Sequence, residues 1–203
     1  MHTRGTVIPL TPQQIVERAH FLASKDCPDI YYRLEYPNGG SDPKTDDPAA
    51  RWSNPGSAFV NRTADCIAGA SWCGGWDRFQ PERFAHIYEG HINCDSMRMD
   101  INGPGKCFER LERPIPGCMV VYGSVDYDHD GHRDRVGHIG TVVGVPSKWN
   151  EHDIKSWTAL IVVDIASRSP ARANQMRDGI PWYGHDRYGV PKDSYFVRSK
   201  MVP

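Results

Sequence analysis

Three residue types that together can open an amide bond follow one another along this chain: Cys66, His138 and Asp164. A thiol becomes a nucleophile when it is held as thiolate. The first turn of a helix favours that state through its unpaired N–H groups and the positive end of its dipole. Cys66 stands just after Thr63-Ala-Asp65, a sequence that starts a helix, and its own N–H would be free to bind an oxyanion. His138 opens the apolar stretch Val136-Gly-His-Ile-Gly-Thr-Val-Val, where flanking glycines permit close approach, and an imidazole there could take and return the thiol proton. Asp164 follows the apolar run from Ala159 to Val163, where a carboxylate could orient that imidazole. Position alone leaves other readings open. Cys66 could simply pack a buried helix, His138 could be structural, and Asp164 could be a solvated strand end, with Ser167 close enough to compete for its role.

A second group of residues has the spacing of a metal loop. Asp126, Asp128, Asp130, Gly131 and Asp134 match positions 1, 3, 5, 6 and 9 of a calcium-binding EF-hand loop, and His132 can offer a backbone carbonyl at position 7. Position 12 is Gly137 in place of the bidentate glutamate, so a bound Ca2+ would be structural and held weakly. The alternative is a solvated acidic hairpin tip. A zinc site built from His129, His132 and His138 ranks lower, because no second cluster has catalytic spacing.

These residues need elements to hold them. Thr11-Pro-Gln-Gln14 supplies an N-cap, a proline at the first helical position and a capping-box glutamine, so a helix should run to about Ser24. Ile15, Val16, Ala19, Leu22 and Ala23 form its apolar stripe. Residues 27 to 55 turn to Pro, Gly, Asp and Asn with interspersed aromatics, which reads as a long ordered loop. A second helix should begin near Thr63 to Asp65, carry Cys66 in its first turn and stop at Gly74-Gly75. A polar, turn-rich middle follows, in which Cys94 and Cys107 read as packing residues in or near irregular segments. Cys118 to Tyr122, His138 to Val145 and Leu160 to Val163 then read as adjacent antiparallel strands, with Tyr195 to Val197 as an edge strand. Helices before strands give an α+β class.

The bulk properties are restrictive. A chain of 203 residues with 39% hydrophobic and 24% charged residues should fold as one domain, residues 1–203, and is neither disordered nor coiled coil. Its 24 basic and 25 acidic residues balance, so neither nucleic acid nor an anionic membrane is expected as a partner. No apolar run is long enough for a signal peptide or a membrane span, which suggests a cytoplasmic product without its own export signal. The six cysteines are accordingly expected to be reduced thiols.

Arg62-Thr-Ala-Asp-Cys66 with Ala70-Ser-Trp72 and Asp77-Arg-Phe-Gln80, then Pro116-Gly117 and Val136-Gly-His-Ile-Gly140, resembles the NlpC and CHAP group of papain-like peptidoglycan hydrolases. The resemblance extends roughly from Tyr31 to Ser167. It implies a papain-like α+β fold, with N-terminal helices and a helix-start nucleophile packed on an antiparallel sheet. It further implies Cys66 as nucleophile, His138 as base, Asp164 as orienting residue and Tyr32 as a substrate-binding residue bordering the site. The implied activity is a cysteine peptidase or amidase acting on bacterial peptidoglycan, as in a phage-type endolysin or a delivered toxin, with the chain a monomer. Two positions depart from the pattern: Ile67 and Ala68 replace small residues after the Asp-Cys pair, and Cys118 replaces an acidic residue after Pro-Gly. The competing functions are a metal-dependent hydrolase using the 126–138 cluster and an inactive wall-binding or virion structural module. A thiol acyltransferase would use the same three residues.

Overall fold

The computed structural model of the chain describes residues 10–24, 26–27, 31–32, 63–76, 92–124, 129–130, 137–165, 175–177 and 194–200. Helix α1 (Pro12–Ala23) begins as its capping residues dictate. Thr11 Oγ1 accepts from the Gln14 N–H at 3.2 Å, and Gln14 Oε1 accepts from the Thr11 N–H at 2.9 Å. Ala19 and Leu22 are buried, and Ile15 and Ala23 pack beside them.

Two short strands, β1 (Tyr31–Tyr32) and β2 (Thr63–Ala64), pair in parallel and lead the chain into helix α2 (Cys66–Gly74). Asp65 is its N-cap, accepting from the Ala68 N–H at 2.8 Å, and Gly75 closes it in the left-handed region at φ 71°. A helix apolar on all sides belongs inside the protein, and every residue of α2 is buried. Its fit is close: a Cβ at Gly69 would lie 2.5 Å from Ile165 Cδ1 and 2.9 Å from its Cγ1, so a larger residue there would force the Ile165 side chain to move.

Helix α3 (Cys94–Asn102) was not expected from the sequence, which placed Cys94 in irregular chain. Its start signals are local and present. Asn93 and Ser96 form a reciprocal capping box, and Ile92 and Met97, both fully buried in one core cluster, occupy the positions of a hydrophobic staple. The composition of this nine-residue helix hid it, because only Met97, Met99 and Ile101 after Cys94 are apolar and Met99 is exposed.

The remaining elements build one antiparallel sheet from β3 (Phe108–Leu111), β4 (Met119–Tyr122), β5 (His138–Gly144), β6 (Ile161–Asp164), β7 (Gln175–Arg177) and β8 (Tyr195–Ser199), in the order β3-β8-β4-β5-β6-β7. A short helix α4 (Ile154–Thr158) precedes β6. The fold is α+β. Tyr195 to Val197 belongs to an interior strand and not to an edge, because β3 pairs with its outer side. Alternation along the strands buries both faces. Met119, Val121, Ile139 and Val197 join the cluster that holds Cys66 and Ile67, and Val163 packs with Ala68 and Trp72. Val120, Val142, Val162 and Phe196 point the other way, onto Trp157 and Leu160. Each such side chain contributes about 1.5–3 kcal/mol by leaving water, and a one-residue slip would send every one to the wrong face. Register is thereby fixed, and with it the pairing of Tyr122 with His138 and of Gly140 with Asp164.

All six cysteines are free and buried. Among the described residues no helix is long and apolar enough to cross a membrane.

Candidate active site

The antiparallel pairing of β5 with β6 brings the first residue of one strand, His138, to the same end of the sheet as the last residue of the other, Asp164. Asp164 pairs with Gly140, two residues along from His138, so the two side chains share a face and meet diagonally across a residue that has no side chain. His138 Nε2 lies 2.9 Å from Asp164 Oδ2, with the carboxylate fully buried and the imidazole 13% exposed. With the carboxylate accepting from Nε2–H, the neutral ring carries its lone pair on Nδ1.

The N-terminus of α2 arrives at this end, and Cys66 is hydrogen-bonded to His138. Its thiol is held well below the ordinary range, to about 6. A hydrogen bond from the Cys94 thiol lowers it most; burial acts against that, the charge of His138 and its hydrogen bond lower it further, and Asp65 opposes. Burial acts to lower the pKa of His138, but the Cys66 thiolate and the bonds to Asp164 and Cys66 outweigh it and raise the group from 6.5 to about 9. Near pH 7 the pair is therefore thiolate and imidazolium, as an activated nucleophile and its proton donor require. Cys94 is pushed the other way, well above an ordinary thiol, first by its bond to Cys66 and then by burial, and so keeps its proton.

Comparison with family models, with curated proteins and with solved structures returned no match.

The structure thus brings together Cys66, His138 and Asp164. Tyr32 is placed by its backbone, which pairs with Ala64 two residues ahead of Cys66. Ser167 lies outside the described residues, as do Asp126, Asp128, His132 and Asp134 of the metal-spaced loop. Of that loop, Asp130 is described and exposed, and His129 takes the left-handed conformation at φ 59°. Among the described residues no group of three or more His, Cys, Asp or Glu side chains is arranged to hold a metal.

Sequence reasoning missed two neighbours. Cys94 is the first residue of α3, so two helix-start cysteines meet, and the Asn93/Ser96 capping box was the signal for it. Tyr122 pairs with His138 across β4 and β5, its ring centroid 6.1 Å from the imidazole. Its place at the end of the Cys118 to Tyr122 run gave the strand but not the partner.

Proposed function

We propose that the protein is a papain-like cysteine hydrolase that cleaves an amide bond in the peptide of bacterial peptidoglycan. The observation that carries this reading is the Cys66, His138 and Asp164 constellation: a helix-start thiol on an imidazole that is itself bonded to a buried carboxylate. Cys66 Sγ attacks the carbonyl carbon. The oxyanion is held by the Cys66 N–H, which as a first-turn amide has no acceptor within its helix. His138 gives its proton to the departing amine, leaving a thioester. Water, deprotonated by His138, then attacks the thioester, which releases the acid and returns the Cys66 thiolate beside the His138 imidazolium. Asp164 keeps the ring in the working tautomer and steadies the imidazolium. The peptidoglycan substrate follows from the motif resemblance around Cys66 and His138. Tyr32 would border the substrate. A calcium ion held by the 126–134 loop would be structural and take no part in bond cleavage.

The test is mass spectrometry of muropeptides after digestion of purified wall. A new amine and carboxylate at one peptide bond, absent with Cys66→Ala, is the expected outcome. Wall left unchanged by a protein whose Cys66 is nonetheless a reactive thiolate would refute the substrate. Activity that survives Cys66→Ala and is abolished by chelation would refute the cysteine mechanism.

A further inference from the structure

The catalytic base sits at the very start of its strand, where a β-ladder fixes position least, yet the residue before it is anchored from outside the sheet. The Gly137 N–H donates to Ser124 Oγ at 3.1 Å, across 13 positions of sequence. Ser124 is held in turn by α3: its N–H donates to Asp95 Oδ1 at 2.7 Å and its hydroxyl to Asp95 Oδ2 at 3.0 Å. Asp95 is the second residue of that helix, where a carboxylate is favoured by the dipole and by unpaired N–H groups. Both oxygens of one carboxylate thus orient one serine, whose hydroxyl oxygen in turn accepts from the backbone N–H ahead of His138.

Packing closes the same point from the other side. A Cβ at Gly137 would lie 2.8 Å from Cys94 Cβ, 3.1 Å from the Tyr122 carbonyl oxygen and 3.2 Å from the Ser124 nitrogen. A Cβ at Gly123 would come within 3.0 Å of Asp95 Oδ1 and of Arg98. Glycine at both places lets the start of β5 press against the start of α3, the turn that also carries the Cys94 thiol onto Cys66.

We infer that Asp95 and Ser124 are positioning residues of the active site: through the Gly137 N–H they hold His138 at the distance from Cys66 at which the two form an ion pair. The groups that face Cys66 are His138 from β5, Cys94 from α3 and Asp65 at its own N-cap, and those that face His138 are Cys66, Asp164 and the ring of Tyr122. The Asp95, Ser124 and Gly137 chain thus ties the start of β5, which carries His138, to the turn of α3 that carries Cys94, so it sets the place of both groups that lower Cys66. This inference rests on the proposed Cys66 and His138 chemistry but not on the substrate.

The experiment is the pH dependence of iodoacetamide labelling of Cys66, read by peptide mass spectrometry on the full chain, with melting temperature measured alongside. Wild type should label with a midpoint of about 6. Ser124→Ala and Asp95→Asn should each raise that midpoint by about one unit, towards an ordinary thiol, as the imidazolium moves away. Ser124→Thr, which keeps the hydroxyl, should restore it. Variants that melt earlier but keep the wild-type midpoint would show a purely structural role and overturn the inference, as would loss of the fold in both Ser124→Ala and Asp95→Asn. A wild-type midpoint near that of a free thiol would instead overturn the ion pair, and with it the proposed cysteine chemistry.

Discussion

Helix α2 carries a cysteine in its first turn and another in its last, both buried, and the two are opposite in character. Cys66 is lowered to about 6, whereas Cys73 is raised to about 12. At Cys73 burial dominates, and a hydrogen bond with Thr141 and the charge of Arg18 only temper it. The Arg18 guanidinium is spent elsewhere, since it donates to the Trp72 carbonyl at 2.9 Å and lies over the Trp72 ring. At Cys66 burial is adverse too, but a thiol donor and an imidazolium face the sulfur. Burial alone pushes a thiol up; the groups that face the sulfur at the helix start hold Cys66 down.

The comparison breaks most sharply on removing each sulfur. Cys66→Ala should lower wall hydrolysis on the order of 10⁴-fold or more, because no acyl-enzyme forms, while Cys73→Ala keeps most activity. Purified wall clearance by the two proteins, each shown to be folded, decides this; equal activities would remove the assignment. His138→Ala should cost on the order of 10³-fold in kcat/KM. Asp164→Ala should cost less, about 10–100-fold, since it orients and does not itself transfer the proton. An unaffected Asp164→Ala enzyme would return the orienting role to Ser167 or to a carbonyl.

Protonation sharpens the contrast. Below about 6 the Cys66 thiolate takes a proton and the nucleophile is lost; above about 9 His138 gives up the proton that the leaving amine needs. Turnover against pH should therefore be bell-shaped between those limits, both belonging to the coupled pair. A profile that rises steadily above pH 9 would contradict it. Removing the Cys94 donor by Cys94→Ala should shift the acid limb upward by about one unit with little change at pH 8. The smallest effect concerns the 126–134 loop. Millimolar calcium should raise the melting temperature by a few degrees, roughly 1 kcal/mol of binding energy, and Asp126→Ala with Asp128→Ala should abolish the rise. Calorimetry without a binding signal at that concentration would dismiss the ion.

What the sequence disclosed follows the range of the interactions concerned. The caps at Thr11 and Asp65 and the stop at Gly75 act within four residues, so α1 and α2 were legible almost to the residue. The places of Cys66, His138 and Asp164 at the ends of their elements were legible because such ends are marked locally. The interior place of β8 was not, since it depends on β3, whose Glu109 and Arg110 gave no sign of a strand. The meeting of Cys94 with Cys66 required a helix seen only through its capping box, and the Asp95 to Ser124 bond joins residues 29 positions apart. No local pattern encodes such a distance.

The most direct test of the account is competitive alkylation of native protein across pH 5 to 10, with Cys66 and Cys73 quantified as separate peptides. Cys66 should label first, with half-maximal rate at about pH 6, and Cys73 should stay unlabelled until the protein unfolds. Equal labelling of the two, or a Cys66 midpoint in the ordinary thiol range, would contradict the claim that the start of α2 is a catalytic site.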